Sequence, residues 1–256
     1  MNKKGILLCG GSGSRFTPIT YAVNKHLIPI YNKPIFFYSL SILMLGGIND
    51  IQIVSDSSSL ELIKKIMFKI KLNIKISYQE QDEAKGIVDG ILKSEKFIGK
   101  SDFVLMLGDN FFYGQSLTYQ LKKIFKKKNC AVSIKNNKPN SFGVIKKNNK
   151  NEVIKIIEKP KNFISNDIVT GLYVYENSCV KICKNLKPSK RGELEITDLN
   201  NFLIKRKKLE IVELGRGSIW LDVGTPDNLL EASEIVKLLE KNNNFKIADL
   251  SEINQY

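Results

Sequence analysis

Histidine is almost missing from this sequence: of 256 residues, only His26 is one. The four cysteines, Cys9, Cys130, Cys179 and Cys183, form no C-x-x-C pair. These two shortages argue against a structural zinc site, which draws four nitrogen or sulfur ligands from short spacings. A disulfide framework is equally out of place without an export signal, so reduced and mostly buried thiols are expected. Arginine is scarce as well. Of 40 basic residues only Arg15, Arg191, Arg206 and Arg216 are arginine. Readers of nucleic acid lean on arginine's planar fork, so the formal charge of +14 does not call for a nucleic-acid partner. Lysine clusters at 122–123 and 126–128 fall on an expected helix and read as a solvated face. The basic field can still draw in small anionic substrates. No apolar run approaches the roughly 20 residues that cross a bilayer, so no membrane partner is expected. The basic opening "MNKKGILLCGG" loses its apolar character after four residues, which leaves the cytoplasm as the expected location.

What the chain does hold is enough apolar residue, 43%, for a substantial core. Short β-rich runs at 6–9, 51–55, 74–78, 103–107 and 131–134 alternate with amphipathic stretches at 34–45, 59–69, 86–95 and 117–127. The first of these helices has Pro34 at its opening and Gly46-Gly47 past its end, as helices start and stop. Such a βαβα rhythm predicts an α/β fold with a largely parallel sheet covered on both faces, and ligands outside the carboxyl ends of its strands. After residue 142 the rhythm changes. A hairpin is expected at 144–146 and 153–157, a strand in "GLYVYE", a helix over 192–208, a strand at 209–214 and a closing helix at 227–240. With no internal repeat and no long linker, one domain over 1–241 is expected, followed by a polar, loosely held tail at 242–256.

The first strand runs into Gly10, Gly11, Ser12, Gly13, Ser14 and Arg15, and Lys25 follows. The spacing fits neither a P-loop nor a dinucleotide fingerprint: no Gly-Lys pair follows Gly10, and Phe16 stands where a third glycine belongs. Glycines nevertheless let backbone N–H groups approach an anion, serines add donors, and Arg15 and Lys25 add a fork and a point charge. An ordinary strand-to-helix turn accounts for the same residues.

Asp109 in "VLMLGDN" and Asp222 in "SIWLDVGT" each stand at the mouth of an apolar strand, where an α/β crevice opens. Two such carboxylates can hold Mg²⁺, which prefers hard oxygen ligands, although an Asp beside Gly or Asn is also a common turn former. In "IIEKP", Glu158 and Lys159 offer a sugar-hydroxyl acceptor and a phosphate-facing cation, or a solvated strand end. Arg191, beside glycine near an expected helix start, reads as a phosphate clamp. Glu193 and Glu195 are expected in that helix's first turn, where acids suit the dipole without any catalytic role. His26 is expected to bond or pack, Trp220 to lie over the crevice edge, and Tyr113, Tyr173 and Tyr175 to form core or crevice wall.

Seven motifs coincide in order: "GGSGSR…NKHLIPIYNKP", "LMLGDNFFYG", "FGVI", "IIEKP", "VTGLYVYE", "LKPSKRGELEITDLN" and "WLDVGT". Together they resemble the sugar-phosphate nucleotidylyltransferases from residue 4 to 232, most closely the members that join dTTP to glucose 1-phosphate. The resemblance implies a Rossmann-like, mixed and mostly parallel sheet flanked by helices, with a nucleotide-binding part over about 1–135 and an inserted β-rich sugar-binding part over about 136–225. It implies Mg²⁺-dependent formation of dTDP-glucose and pyrophosphate, supplying deoxysugar or polysaccharide synthesis, by a homo-oligomer. It carries over Leu8, Gly10, Gly11, Ser12, Gly13, Ser14, Arg15, Lys25, His26, Gln81, Gly86 and Asp109 as nucleotide contacts. Asn110, Gly143, Glu158, Lys159, Val169 and Arg191 become sugar-phosphate contacts. Asp109 and Asp222 become metal ligands, and these two acids join Arg15 and Lys25 as the catalytic set. The chain departs from the family's usual residues at Cys9, Ser14 and His26. It departs further at Val88-Asp89-Gly90, where Ala-Gln-Ala is usual and where Asp89 adds charge beside the expected base and sugar pockets. It ends soon after the last motif, so the regulatory site and full tetramer interface of longer members are not expected. Rival readings are the same chemistry with UTP, CTP or another sugar 1-phosphate, and a non-catalytic nucleotide- or nucleic-acid-binding protein. The presence of both acids and both cations argues for catalysis.

Overall fold

The computed structural model describes residues 3–81, 83 and 85–253; the last three residues of the expected tail lie outside them. The first half alternates as its periodicity predicts. In order come β1 (Lys4–Leu8), a small ribbon of β2 (Pro29–Ile30) and β3 (Lys33–Pro34), α1 (Ile35–Leu45), β4 (Asp50–Ser55) and α2 (Ser57–Phe68). Then follow β5 (Lys75–Glu80), α3 (Ile87–Lys93), α4 (Glu95–Ile98) and β6 (Phe103–Leu107). β1 lies between β4 and β6, parallel to both, and β5 extends the parallel set beyond β4. Strands covered on both faces must be apolar throughout, and Ile6, Leu7, Ile53 and Leu105 are wholly buried.

The second half builds on the other edge. It contains β7 (Asn110–Gly114), α5 (Leu117–Ile124), β8 (Cys130–Lys135), β9 (Gly143–Lys147), β10 (Val153–Glu158), β11 (Asp167–Tyr175) and α6 (Cys179–Cys183). The chain finishes with α7 (Ile196–Lys205), β12 (Glu210–Glu213), β13 (Ser218–Asp222), α8 (Pro226–Asn242) and α9 (Leu250–Ile253). β11 runs antiparallel to β6 and joins the halves into one nine-stranded sheet, ordered β10-β9-β11-β6-β1-β4-β5, with β8 pairing both β11 and β12. The fold is thus the mixed, mostly parallel α/β sheet expected, and every antiparallel pair of that sheet involves β9 or β11 of the β-rich part.

Two expectations differ from the structure. The helix expected over 192–208 begins only at Ile196, because the preceding segment is held extended against α3: Leu194 N donates to Lys85 O at 2.8 Å and Val88 N to Leu194 O at 3.2 Å. Tertiary bonds override the helix propensity of Glu193 and Glu195 there. The tail is not loose either. Leu250 of α9 is 2% exposed and shares a core with α1.

Candidate active site

β1 and β6 end side by side, and the backbone keeps them together one residue further, with Gly108 N donating to Leu8 O at 2.7 Å. The loops leaving these ends carry the glycine cluster and Asp109. Gly13 adopts φ 59°, and a Cβ there would lie 2.8 Å from Thr20 Cγ2, so the tight loop needs glycine. The turn after it plants Phe16 in a third core cluster, at 2% exposure, and leaves the neighbouring Arg15 side chain exposed.

The two acids are brought together by a ribbon outside the main sheet. β7 and β13 pair antiparallel with Asp222 opposite Asn110, and Val223 N donates to Asp109 O at 2.8 Å. Asn110 orients the pair from beneath. Its Nδ2 donates to Asp109 Oδ1 at 3.0 Å, while its Oδ1 accepts from Trp220 Nε1 at 2.7 Å and Gly171 N at 2.8 Å. Asn110 is therefore committed inside the protein as well as lining the crevice, and Trp220 is part of the floor.

Charge is concentrated at this point. Lys25 Nζ donates to Asp109 Oδ2 at 2.5 Å, and Arg15 Nη2 lies 3.8 Å from Asp222 Oδ2. Burial alone pushes the Asp109 carboxyl up, but Lys25, His26 and the bonds from Lys25 and Asn110 outweigh it and hold it well below the usual range. Burial also opposes the charge on Lys25, yet Asp109 and Asp222 raise its affinity for the proton, so it stays an ammonium. Asp222 goes the other way. Burial and the neighbouring Asp109 push it up to about 6, against the pull of Lys25, Arg15 and Lys159. Desolvation and mutual repulsion thus make the second negative charge of the pair the costly one.

Burial and Lys25 push His26 down to about 3, so it is neutral. Its tautomer follows from the network. Asn24 Nδ2 faces two acceptors, Asp56 Oδ2 at 3.0 Å and Cys9 O at 3.4 Å, so Asn24 Oδ1 is the atom at 2.8 Å from His26 Nδ1, which must carry the hydrogen. The chain Asp56–Asn24–His26 fixes the backbone that presents Lys25. Asn24 and Asp56 were absent from the expected site, although an Asn before a turn and an Asp before a helix are cap signals.

Two cavities meet at Asp109. The first, of about 260 Å³, is lined by Leu8, Gly10, Lys25, His26, Gln81, Gly86, Asp109 and Arg191 together with Glu193 and Glu195. The second, of about 190 Å³, is lined by Arg15, Asp109, Asn110, Gly143, Val169 and Asp222, with Trp220 and Tyr173 as walls. Glu158 and Lys159 line both. Gly11, Ser12, Gly13 and Ser14 lie on the loop outside these linings. Arg191, expected with the sugar phosphate, borders the first cavity instead. It is held by Glu193 at 3.0 Å, Glu195 at 3.6 Å and Glu158 at 3.9 Å. Glu193 and Glu195 precede α7 and line the crevice, rather than standing in the helix's first turn. Thr197 Oγ1 donates to Glu158 Oε2 at 2.6 Å, a contact that no sequence spacing announces. Lys159 adopts φ 42°, a costly backbone held by Lys159 N donating to Phe142 O at 3.0 Å.

Known proteins are similar to this chain in sequence and in fold. The nucleotidyl transferase family matches residues 4–238. A glucose-1-phosphate thymidylyltransferase of Neisseria meningitidis serogroup A is 42% identical over 98% of this chain and 88% of its own length. One from Mycobacterium tuberculosis is 36% identical with the same coverage. Among solved structures, one from Bacillus anthracis, assigned as a glucose-1-phosphate thymidylyltransferase in complex with a sucrose, superposes with TM-score 0.83 at 34% identity, covering 96% of this chain and 99% of that one. A UDP-glucose pyrophosphorylase complexed with UDP-glucose gives TM-score 0.80 at 26% identity, covering 93% and 99%. Matched over nearly its whole length in sequence and in fold, the chain belongs to the nucleotidyl transferase family and is a nucleotidyltransferase.

Proposed function

We propose that the enzyme transfers a thymidylyl group from dTTP to glucose 1-phosphate, releasing pyrophosphate and giving dTDP-glucose. The observation that carries this is the ribbon of β7 and β13, which brings Asp109, lining both cavities, beside Asp222 in the second, with Lys25 bonded to the first acid and Arg15 facing the other. The activity of the 42% identical relative, a glucose-1-phosphate thymidylyltransferase, suggests the substrates. The first cavity is read as the nucleotide lobe and the second as the sugar-phosphate lobe.

A buried carboxylate, Asp109, and beside it a half-buried one, Asp222, which desolvation and then its neighbour push up to about 6, form a hard-oxygen donor set suited to Mg²⁺. Asp109 and Asp222 would hold it, and when bound it offsets phosphate charge as a Lewis acid. Two anionic substrates must approach each other, and Lys25 and Arg15 lower that repulsion. The sugar phosphate oxygen attacks the α-phosphorus, and the bond to pyrophosphate breaks. A phosphate monoester is already a nucleophile, so no general base is required, in keeping with a neutral His26 of low basicity. Glu158, fixed by Thr197, is placed to accept from sugar hydroxyls.

Pyrophosphate release with Mg²⁺, glucose 1-phosphate and each of dTTP, UTP, CTP and GTP tests the reading. Release with dTTP, abolished by EDTA, is the expected outcome; silence with all four contradicts it. Lys25→Ala is expected to lower kcat about 100-fold or more while nucleotide KM changes little, as for loss of a group acting on developing charge. Near-wild-type turnover in that variant would remove Lys25 from the mechanism. UTP is the second reading, favoured by the likeness to the UDP-glucose complex.

A further inference from the structure

Asp89 is the chain's own departure in the first turn of α3, and the structure gives it one clear partner. Gln81 Nε2 donates to Asp89 Oδ2 at 2.6 Å. Amide ends are normally interchangeable, since a neighbour that both donates and accepts tolerates either orientation. A carboxylate does not: ionised, it only accepts. Beside Asp89 the nitrogen of Gln81 must face the carboxylate, and the carbonyl oxygen must face away. That oxygen lies against Gly10, 3.0 Å from where a Cβ on that glycine would stand, and both residues line the first cavity.

The pair is held from both sides. Gln81 is 6% exposed, with its backbone N donating to Ser55 O at 2.8 Å at the end of β4. α3 is docked through Gly86, at φ 102°, where a Cβ would lie 2.5 Å from Leu194 O, and through Gly90, where a Cβ would lie 2.7 Å from Leu8 Cδ2. The amide and its carboxylate therefore sit in fixed elements.

Resting on the reading of this cavity as the nucleotide lobe, we infer that Asp89 locks the Gln81 amide with its carbonyl oxygen toward the lobe, and so selects bases that present a ring N–H donor. Thymine and uracil carry a hydrogen on N3, whereas cytosine offers a lone pair at that position. A fixed acceptor bonds the first two and repels the third, leaving cytosine with a lone pair facing a lone pair there. Asp89 is thus a positioning residue that acts through Gln81 and sets selectivity for keto pyrimidines. It does not distinguish dTTP from UTP.

Equilibrium binding of dTTP and dCTP, read by titration calorimetry, tests this without requiring turnover. Asp89→Asn keeps the shape but can accept or donate, freeing the amide to turn. The dTTP-over-dCTP preference of the wild type is expected to narrow about tenfold in this variant, on the scale of one hydrogen bond exchanged for one lone-pair clash. Asp89→Glu, which keeps an acceptor-only partner, is expected to retain more of the preference than Asp89→Asn. In a Gln81→Ala background Asp89→Asn is expected to leave the ratio unchanged, an outcome that a purely structural role does not produce. If Asp89→Asn keeps the full preference while the wild type makes dTDP-glucose, the role of Asp89 is overturned and the proposed activity stands. If the wild type binds neither nucleotide, or both equally, the inference fails whatever the activity assay shows.

Discussion

Both polar atoms of the Asn110 side chain are used inside the protein, and two of their partners are 61 and 110 positions away in the chain. Removing that side chain strands two buried donors, Trp220 Nε1 and Gly171 N, and frees Asp109 to turn. Asn110→Ala is expected to destabilise the protein by roughly 2–4 kcal/mol, the cost of two unpaired buried groups. Urea unfolding measures it, and a change below about 1 kcal/mol would mean that water or a rearranged neighbour takes over the bonds. The sequence marked Asn110 only as a crevice contact, because an amide's partners follow from strand pairing that local spacing does not encode. The same limit hid Thr197 behind Glu158. Asp109, Asp222 and Arg15 were legible because each sits at the end of a readable apolar strand or in a glycine turn, and Lys25 because it opens the motif "KHLIPIYNKP".

Among the elements, the strands of the parallel half were readable because burial on both faces demands unbroken apolar runs, and β6 matches its expected span, residues 103–107, at both ends. The ribbon of β7 and β13 was not read as a pair, since its partners are more than a hundred residues apart. α2 illustrates a start signal that was present but not used. Asp56 caps it, accepting from Ser59 N at 2.9 Å and also from the hydroxyls of Ser58 and Ser59. Burial opposes the charge, yet these bonds and the one from Asn24 hold Asp56 down at about 2, below its ordinary 3.8. A depressed carboxylate contributes stability that is complete above the unfolded value and lost as pH falls through the folded one. Stability should therefore drop between about pH 4 and pH 2 through this group. Asp56→Asn, still able to cap, is expected to flatten that part of the curve, whereas Asp56→Ala should cost about 1 kcal/mol even at pH 7. Denaturation of the three proteins across that range decides it; parallel curves would assign the acid loss to other carboxylates. Because Asn24 links Asp56 to His26 and the Lys25 turn, Asp56→Ala should also lower kcat.

At the scale of the whole molecule, residues 247–250 help close a core that supports the glycine loop. Phe16, next to Arg15, packs with Val223 and with Ala232 and Val236 of α8, and Ala248 beyond that helix joins them at 7% exposure. Leu250 carries the same chain back onto α1. Ile247 N donates to Glu240 Oε1 at 2.8 Å, and Glu240 in turn pairs with Lys33 of the β2–β3 ribbon at 2.8 Å. Polarity of the tail's composition concealed this, because few apolar residues suffice when they enter a cluster already formed. Deleting residues 243–256 removes the burial of Leu250 and Ala248 and uncovers their neighbours, a loss of about 2–5 kcal/mol at the usual value per buried side chain. It also withdraws one wall from beneath Phe16. The truncated protein is expected to unfold at lower urea, and to show a reduced kcat with glucose 1-phosphate and dTTP at temperatures where it is still folded, because the Arg15 turn loses its support. Equal stability and equal kcat would mean that α8 alone anchors the loop. Lower stability with unchanged kcat would place the tail's contribution in the core next to α1 and leave Arg15 held by its own turn.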